Sequence, residues 1–133
     1  MVSYEIDGRN FSTLEGFFDE IERILPLDAP WGSNLDAFDE VLVRGYGMHD
    51  DGFELVWRNH ALSISRLGYP ETVRQLEKRL ESCHPANREL VARQLTLART
   101  GRGPTVFDWL LEIIKRHGAG GSQAADQVLL SLR

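Results

Sequence analysis

Two groups of residues carry side chains able to do chemistry. The first is scattered: His49-Asp50-Asp51, His60 and Cys83-His84 supply acid–base, nucleophilic or metal-ligating groups. None has the spacing of a metal site, and no third group stands at a fixed offset from any of them. A lone Cys83 beside His84 is more often incidental than nucleophilic. Gly101-Arg102-Gly103-Pro104 lacks the lysine and the strand context of a phosphate loop. An enzyme is therefore not expected, nor a cofactor or metal. The second group is compact. Asp36, Asp39 and Glu40 stand at i, i+3 and i+4, which gathers three carboxylates on one side of a helix. Like charges so placed repel by a few tenths of a kcal/mol per pair, and the helix N-terminus offsets part of that. A solvated acidic face is the bland explanation. A surface for a cationic partner is the functional one, and Asp28, Asp50, Asp51 and Glu54 enlarge it, against Arg44 alone.

The elements that must hold this face can be read along the chain. Val2-Ser3-Tyr4-Glu5-Ile6 alternates as a half-buried strand does, and Asp7-Gly8 is a turn. Ser12 precedes Glu15 by three residues, a capping-box signature. Leu14, Phe17, Phe18, Ile21, Ile24 and Leu25 follow at helical spacing, which predicts a helix over 13–25 that Pro26 stops. Ser33 or Asn34 caps a second helix reaching about residue 44, with Gly45 and Gly47 beyond it. On that helix Leu35, Phe38 and Leu42 face the core, opposite the acids. Phe53-Glu54-Leu55-Val56-Trp57 is a second strand. A short helix or turn covers 60–67. Amphipathic helices fit 70–82 and 85–100, and a further helix fits 105–117. A flexible linker over 118–122 leads to a closing apolar strand over 127–132. Strands separated by helices give an α/β fold with a small parallel sheet packed by helices.

The chain has 133 residues, which suits one domain with one core. A single cysteine excludes an intrachain disulfide and fits a reducing compartment. The first residues form no signal peptide, and no apolar run approaches the ~20 residues that cross a bilayer. The cytoplasm is the expected location, with no membrane association. Net charge is −5, unevenly spread: residues 1–69 carry −8, residues 70–102 carry +3 and the remainder is neutral. An acidic body argues against a nucleic-acid ligand and for a basic protein partner.

Trp31-Gly32-Ser33-Asn34-Leu35-Asp36-Ala37 resembles the signature of the barstar family of ribonuclease inhibitors. The order of elements is similar too: a first strand ending in Ile6-Asp7-Gly8, a helix, the signature loop, an acidic helix, a strand ending in Val56-Trp57-Arg58, a late helix and a C-terminal apolar strand. The likeness covers residues 2–68 and 105–133. Residues 70–102 have no counterpart in short members and form a helical insertion in one barstar-like domain over 1–133. The resemblance implies a three-stranded parallel sheet and an acidic helix that, with the loop before it, blocks a ribonuclease active site. The partner-binding residues it implies are Trp31, Asp36, Asp39, Glu40, Val43, Tyr46 and Glu112. Asp36 matches the first acidic contact. Glu40 stands where the family has its dominant aspartate, and Asp39 where it often has tryptophan. Glu112 is the late-helix acid. The implied role is an immunity or antitoxin protein, monomeric when free, against a basic ribonuclease or related nuclease toxin. The alternative is the same scaffold binding a different basic partner, such as another nuclease toxin or a regulatory protein.

Overall fold

The computed structural model describes residues 1–27, 31–43 and 51–133. Three strands, β1 (Val2–Asp7), β2 (Phe53–Arg58) and β3 (Val128–Leu132), form one sheet in the order β1-β2-β3. Both pairings are parallel, with Ile6 opposite Trp57 and Trp57 opposite Leu132. Parallel neighbours need long crossovers, and helices supply them. Helices α1 (Leu14–Ile24) and α2 (Leu35–Val41) lie between β1 and β2. Four more, α3 (His60–Arg66), α4 (Tyr69–Ser82), α5 (Arg88–Arg99) and α6 (Val106–Arg116), lie between β2 and β3. The expected α/β architecture is the one observed.

Alternation gives the sheet two unlike faces. Ile6, Phe53, Leu55, Trp57 and Val128 are buried in the main core with Phe11, Phe17, Phe38, Leu110 and Ile114. Trp57 stacks on Phe17 with centroids 5.4 Å apart, and Phe17 meets Phe38 edge-on at 5.2 Å. The indole N–H of Trp57 donates to the Ser63 hydroxyl at 3.0 Å, so the one polar atom of this large side chain is satisfied in the interior. The opposite face is mostly polar, with Val56 and Leu129 as its apolar residues. Glu54 on the central strand accepts from Ser3 at 2.6 Å and from Ser131 at 2.7 Å, linking all three strands. Those two hydroxyls hold its carboxyl below the usual range. Parallel sheets are ordinarily covered on both sides. Here side-chain bonds across the strands take that place on the polar face.

Helices α4 and α5 pack on each other through Leu76, Val91, Leu95 and Ala98. Trp109 of α6 touches this cluster and the main core alike. The Glu71 carboxylate, on α4, accepts the Leu14 backbone N–H of α1 at 2.8 Å, and the Thr72 hydroxyl accepts the Val106 N–H at 2.9 Å. Arg74 and Lys78 of α4 pair with Glu15 of α1. The basic charge of residues 70–102 is thus turned in part onto the acidic body.

Three local expectations need correcting. The α1 cap is Thr13, which accepts from the Gly16 N–H at 3.0 Å, and not Ser12. Glu15 is drawn outward by Arg74, Gln75 and Lys78, so it does not close a box with Ser12. Helix α2 stops at Val41 instead of continuing to about residue 44, because the chain tightens there and the Val43 N–H donates to the Glu40 carbonyl at 3.1 Å. Residues 118–122 are not an open linker. The Gln123 N–H returns to the Arg116 carbonyl at 2.8 Å, and a Cβ on Gly121 would stand 2.3 Å from the Lys115 carbonyl oxygen.

Candidate partner-binding face

Helix α2 begins where Asn34 caps it, accepting the Ala37 N–H at 2.8 Å. The Asn34 amide also donates to the Gly32 carbonyl at 3.2 Å. The Gly-x-Asn stretch is therefore a loop closure and a helix start in one. Phe38, Val41 and Leu42 are buried, which anchors the helix and turns its acids away from the core. Asp36 and Glu40 are exposed, and their carboxylates make no hydrogen bond or ion pair among the described residues. Val43 is exposed at the end of the helix.

Asp39 differs from its neighbours. It is half-buried, and its Oδ1 lies 2.6 Å from His117 Nε2. Its other oxygen faces Arg116 at 3.6 Å. Arg116 also reaches Glu112, one turn earlier on α6, at 4.0 Å. Asp36, Asp39 and Glu112 line one groove of about 750 Å³ between α2, α6 and the α4–α5 pair. Trp109 and Ile113 form part of its wall, and Lys78 and Arg79 stand among its lining residues. Arg79 lies over the Trp109 ring at 5.1 Å, in cation–π range.

Trp31 packs edge-on against Phe18 at 5.5 Å and joins the rim of the main core. It is half-buried, and its indole N–H has no hydrogen-bond partner among the described residues. Tyr46 lies outside the described residues, as do Asp28, Arg44, Gly45, Gly47, His49 and Asp50. The structure thus brings Asp36, Asp39 and Glu112 to one groove, sets Glu40 and Val43 on the same short helix, and places Trp31 at its root.

Sequence reasoning missed His117 and Arg116 as members of this site. Cationic residues in a helix's last turn are ordinary complements to its dipole, so nothing local distinguishes them. Asp126, the second partner of His117, sits before β3 and carries no motif. Elsewhere His60 bonds the Arg133 carbonyl at 2.8 Å, and His84 accepts the Ala86 N–H at 3.0 Å. His60 thus ties the start of α3 to the C-terminal residue, and His84 closes a local turn. Among the described residues no group of three or more His, Cys, Asp or Glu side chains is placed to hold a metal. Among them too, no helix is long and apolar enough to cross a membrane.

With this geometry in view, the comparison with family models is decisive. The model described as Barstar (barnase inhibitor) matches residues 1–107. The chain belongs to the barstar family. The match spans α1, the signature loop, α2 and the whole α4–α5 segment, and stops at the second residue of α6. The last helix and β3 lie beyond the match, and the parallel pairing of β3 with β2 is what completes the barstar-like sheet. Barstar-family proteins are inhibitors rather than enzymes. No curated protein and no solved structure gives a match.

Proposed function

We propose that this barstar-family chain is an immunity or antitoxin protein that blocks the active site of a basic ribonuclease with α2 and the loop before it. It acts as one barstar-like domain over 1–133 with a helical insertion at about 70–102, in the cytoplasm, as a monomer when free. It touches the enzyme and not its nucleic acid.

The observation that carries this reading is the uncompensated pair Asp36 and Glu40. Both are exposed on a helix whose other side is locked in the core, and neither side chain pairs with a cation among the described residues. Ribonucleases hold phosphate with cationic side chains, so their active sites are basic clefts. A carboxylate entering one gives up water but gains charge-assisted hydrogen bonds, bidentate where arginine is present. Glu112 extends the negative face onto α6. Trp31 and Val43 give it apolar borders, Asp39 stands at its centre, and Tyr46, outside the described residues, is kept as a proposed contact.

The test pairs affinity for a barnase-type ribonuclease with the denaturation midpoint. Removing one carboxylate leaves the enzyme's cations buried and unpaired, so Asp36→Ala or Glu40→Ala should each cost ~2–5 kcal/mol of affinity, mostly through faster dissociation. Stability should hold or rise slightly, because like-charge crowding is relieved. Variants that unfold the protein but bind normally when folded would make the face structural. Tight binding to a different basic protein, with none to ribonucleases, would transfer the same face to another partner.

A further inference from the structure

His117 is fully buried at the end of α6, and both of its ring nitrogens face carboxylates. Nε2 lies 2.6 Å from Asp39 Oδ1 on α2, and Nδ1 lies 2.6 Å from Asp126 Oδ2 in the turn before β3. An ionised carboxylate only accepts hydrogen bonds, and a neutral imidazole donates from one nitrogen alone. Two such short contacts therefore need one proton more than a neutral ring between two carboxylates supplies. Whether that proton sits on the ring or is shared with an oxygen, the count is the same. We propose that Asp39, His117 and Asp126 form a proton-holding clamp, with His117 as the positioning residue that fixes α2 to the turn between α6 and β3.

The surroundings favour this. The His117 backbone is itself pinned: its N–H donates to the Ile114 carbonyl at 3.1 Å, and its carbonyl accepts from the Val128 N–H at 2.9 Å. The ring therefore sits in a fixed frame set by α6 and β3, while Asp39 belongs to a helix of only seven residues. Among the described residues, the charged groups facing the clamp are Asp39 from α2, Asp126 from the turn, Arg116 from α6 at 3.6 Å from Asp39, and Glu112 behind Arg116.

This deepens the inhibitor reading and rests on it for one consequence. Asp39, although on the acidic helix, is neutralised from inside, and the charges left to the partner are Asp36 and Glu40. The other consequence is independent of any partner. Without that proton, one of the two 2.6 Å contacts has no hydrogen to share, and the hold on α2 or on the turn before β3 weakens.

The test is nitrogen-detected NMR of the His117 ring in the wild type and two variants. At about pH 7 the wild-type ring should show both nitrogens protonated, or one proton shared with a carboxyl; a plain neutral tautomer there overturns the proposal. Asp39→Asn supplies a donor to Nε2, so a neutral ring with its hydrogen on Nδ1 satisfies both contacts. Asp126→Asn is the mirror-image variant and should leave the hydrogen on Nε2. A ring unchanged in both variants overturns the clamp. A doubly protonated ring in a protein that binds no ribonuclease would uphold the clamp and sink the inhibitor reading.

Discussion

Gly8 ends the Ile6-Asp7-Gly8 stretch and shows why that position takes no side chain. A Cβ there would stand 2.5 Å from the Asn59 carbonyl oxygen and 2.5 Å from Ser63 Oγ. Neither neighbour is free to move. Ser63 is fully buried and receives the Trp57 indole. Asn59 holds a left-handed backbone, φ 56°, at the entry to α3, and its carbonyl accepts the Leu62 and Ser63 N–H groups. Gly8→Ala should therefore cost about 2–3 kcal/mol by overpacking against the β2–α3 junction, read as a lower urea midpoint with unchanged slope. Gly101→Ala is the contrast. No atom lies within 4 Å of its added Cβ, but its φ of +71° is a glycine conformation, so the expected cost is about 1 kcal/mol of backbone strain alone.

The pairing of α4 with α1 makes a prediction about acid. Burial pushes the Glu15 carboxyl up, but hydrogen bonds from Gln75, Arg74 and Lys78 outweigh it and hold the group at about 2. Glu71 is held low in the same manner by Arg74, Gln75 and the Leu14 N–H, again against burial. A carboxyl held low in the folded state stabilises above its unfolded value of ~4.3 and loses that contribution as pH falls toward the folded value. Glu15 is nearly half exposed, so solvent screening reduces its share to ~1 kcal/mol. Glu15→Gln should be less stable than wild type at neutral pH, and the gap should close between about pH 4.5 and pH 2 in a denaturation series.

Elements of this kind differ in how much of themselves the sequence displays. The three strands are legible because alternation and apolar runs are local properties. The helices of 70–102 are legible because their apolar residues recur at helical spacing. The α1 cap is misread because Thr13 and Ser12 are equally good caps, and the choice depends on Glu15 being drawn to α4, a contact between residues about sixty positions apart. The compactness of 118–122 is hidden because glycines there read as freedom, whereas Gly118 and Gly121 permit close backbone approach. Asp36, Glu40 and the signature loop are visible as pattern. The Asp39–His117–Asp126 arrangement is not, since its three members come from three elements and none stands at a fixed offset from another.

At the scale of the whole molecule, the sheet is assembled from the two ends of the chain around its middle. Its central strand must wait for β1 from one side and for β3 from beyond four helices. The turn at Gly101-Arg102-Gly103 is exposed throughout, and both of its glycines have positive φ. Everything after it, α6 and β3, is held by contacts that reach back across that turn: Leu110 and Ile114 in the main core, Trp109 against both clusters, and β3 along β2 from Phe53 to Trp57. The protein is therefore divisible at that point. Two separately produced pieces, residues 1–102 and 103–133, should recombine into one particle with the wild-type near-ultraviolet spectrum of Trp57. Each alone should lack that spectrum, since neither has a complete sheet. Under the proposed function, such a pair would be a conditional inhibitor, active only where both halves are made.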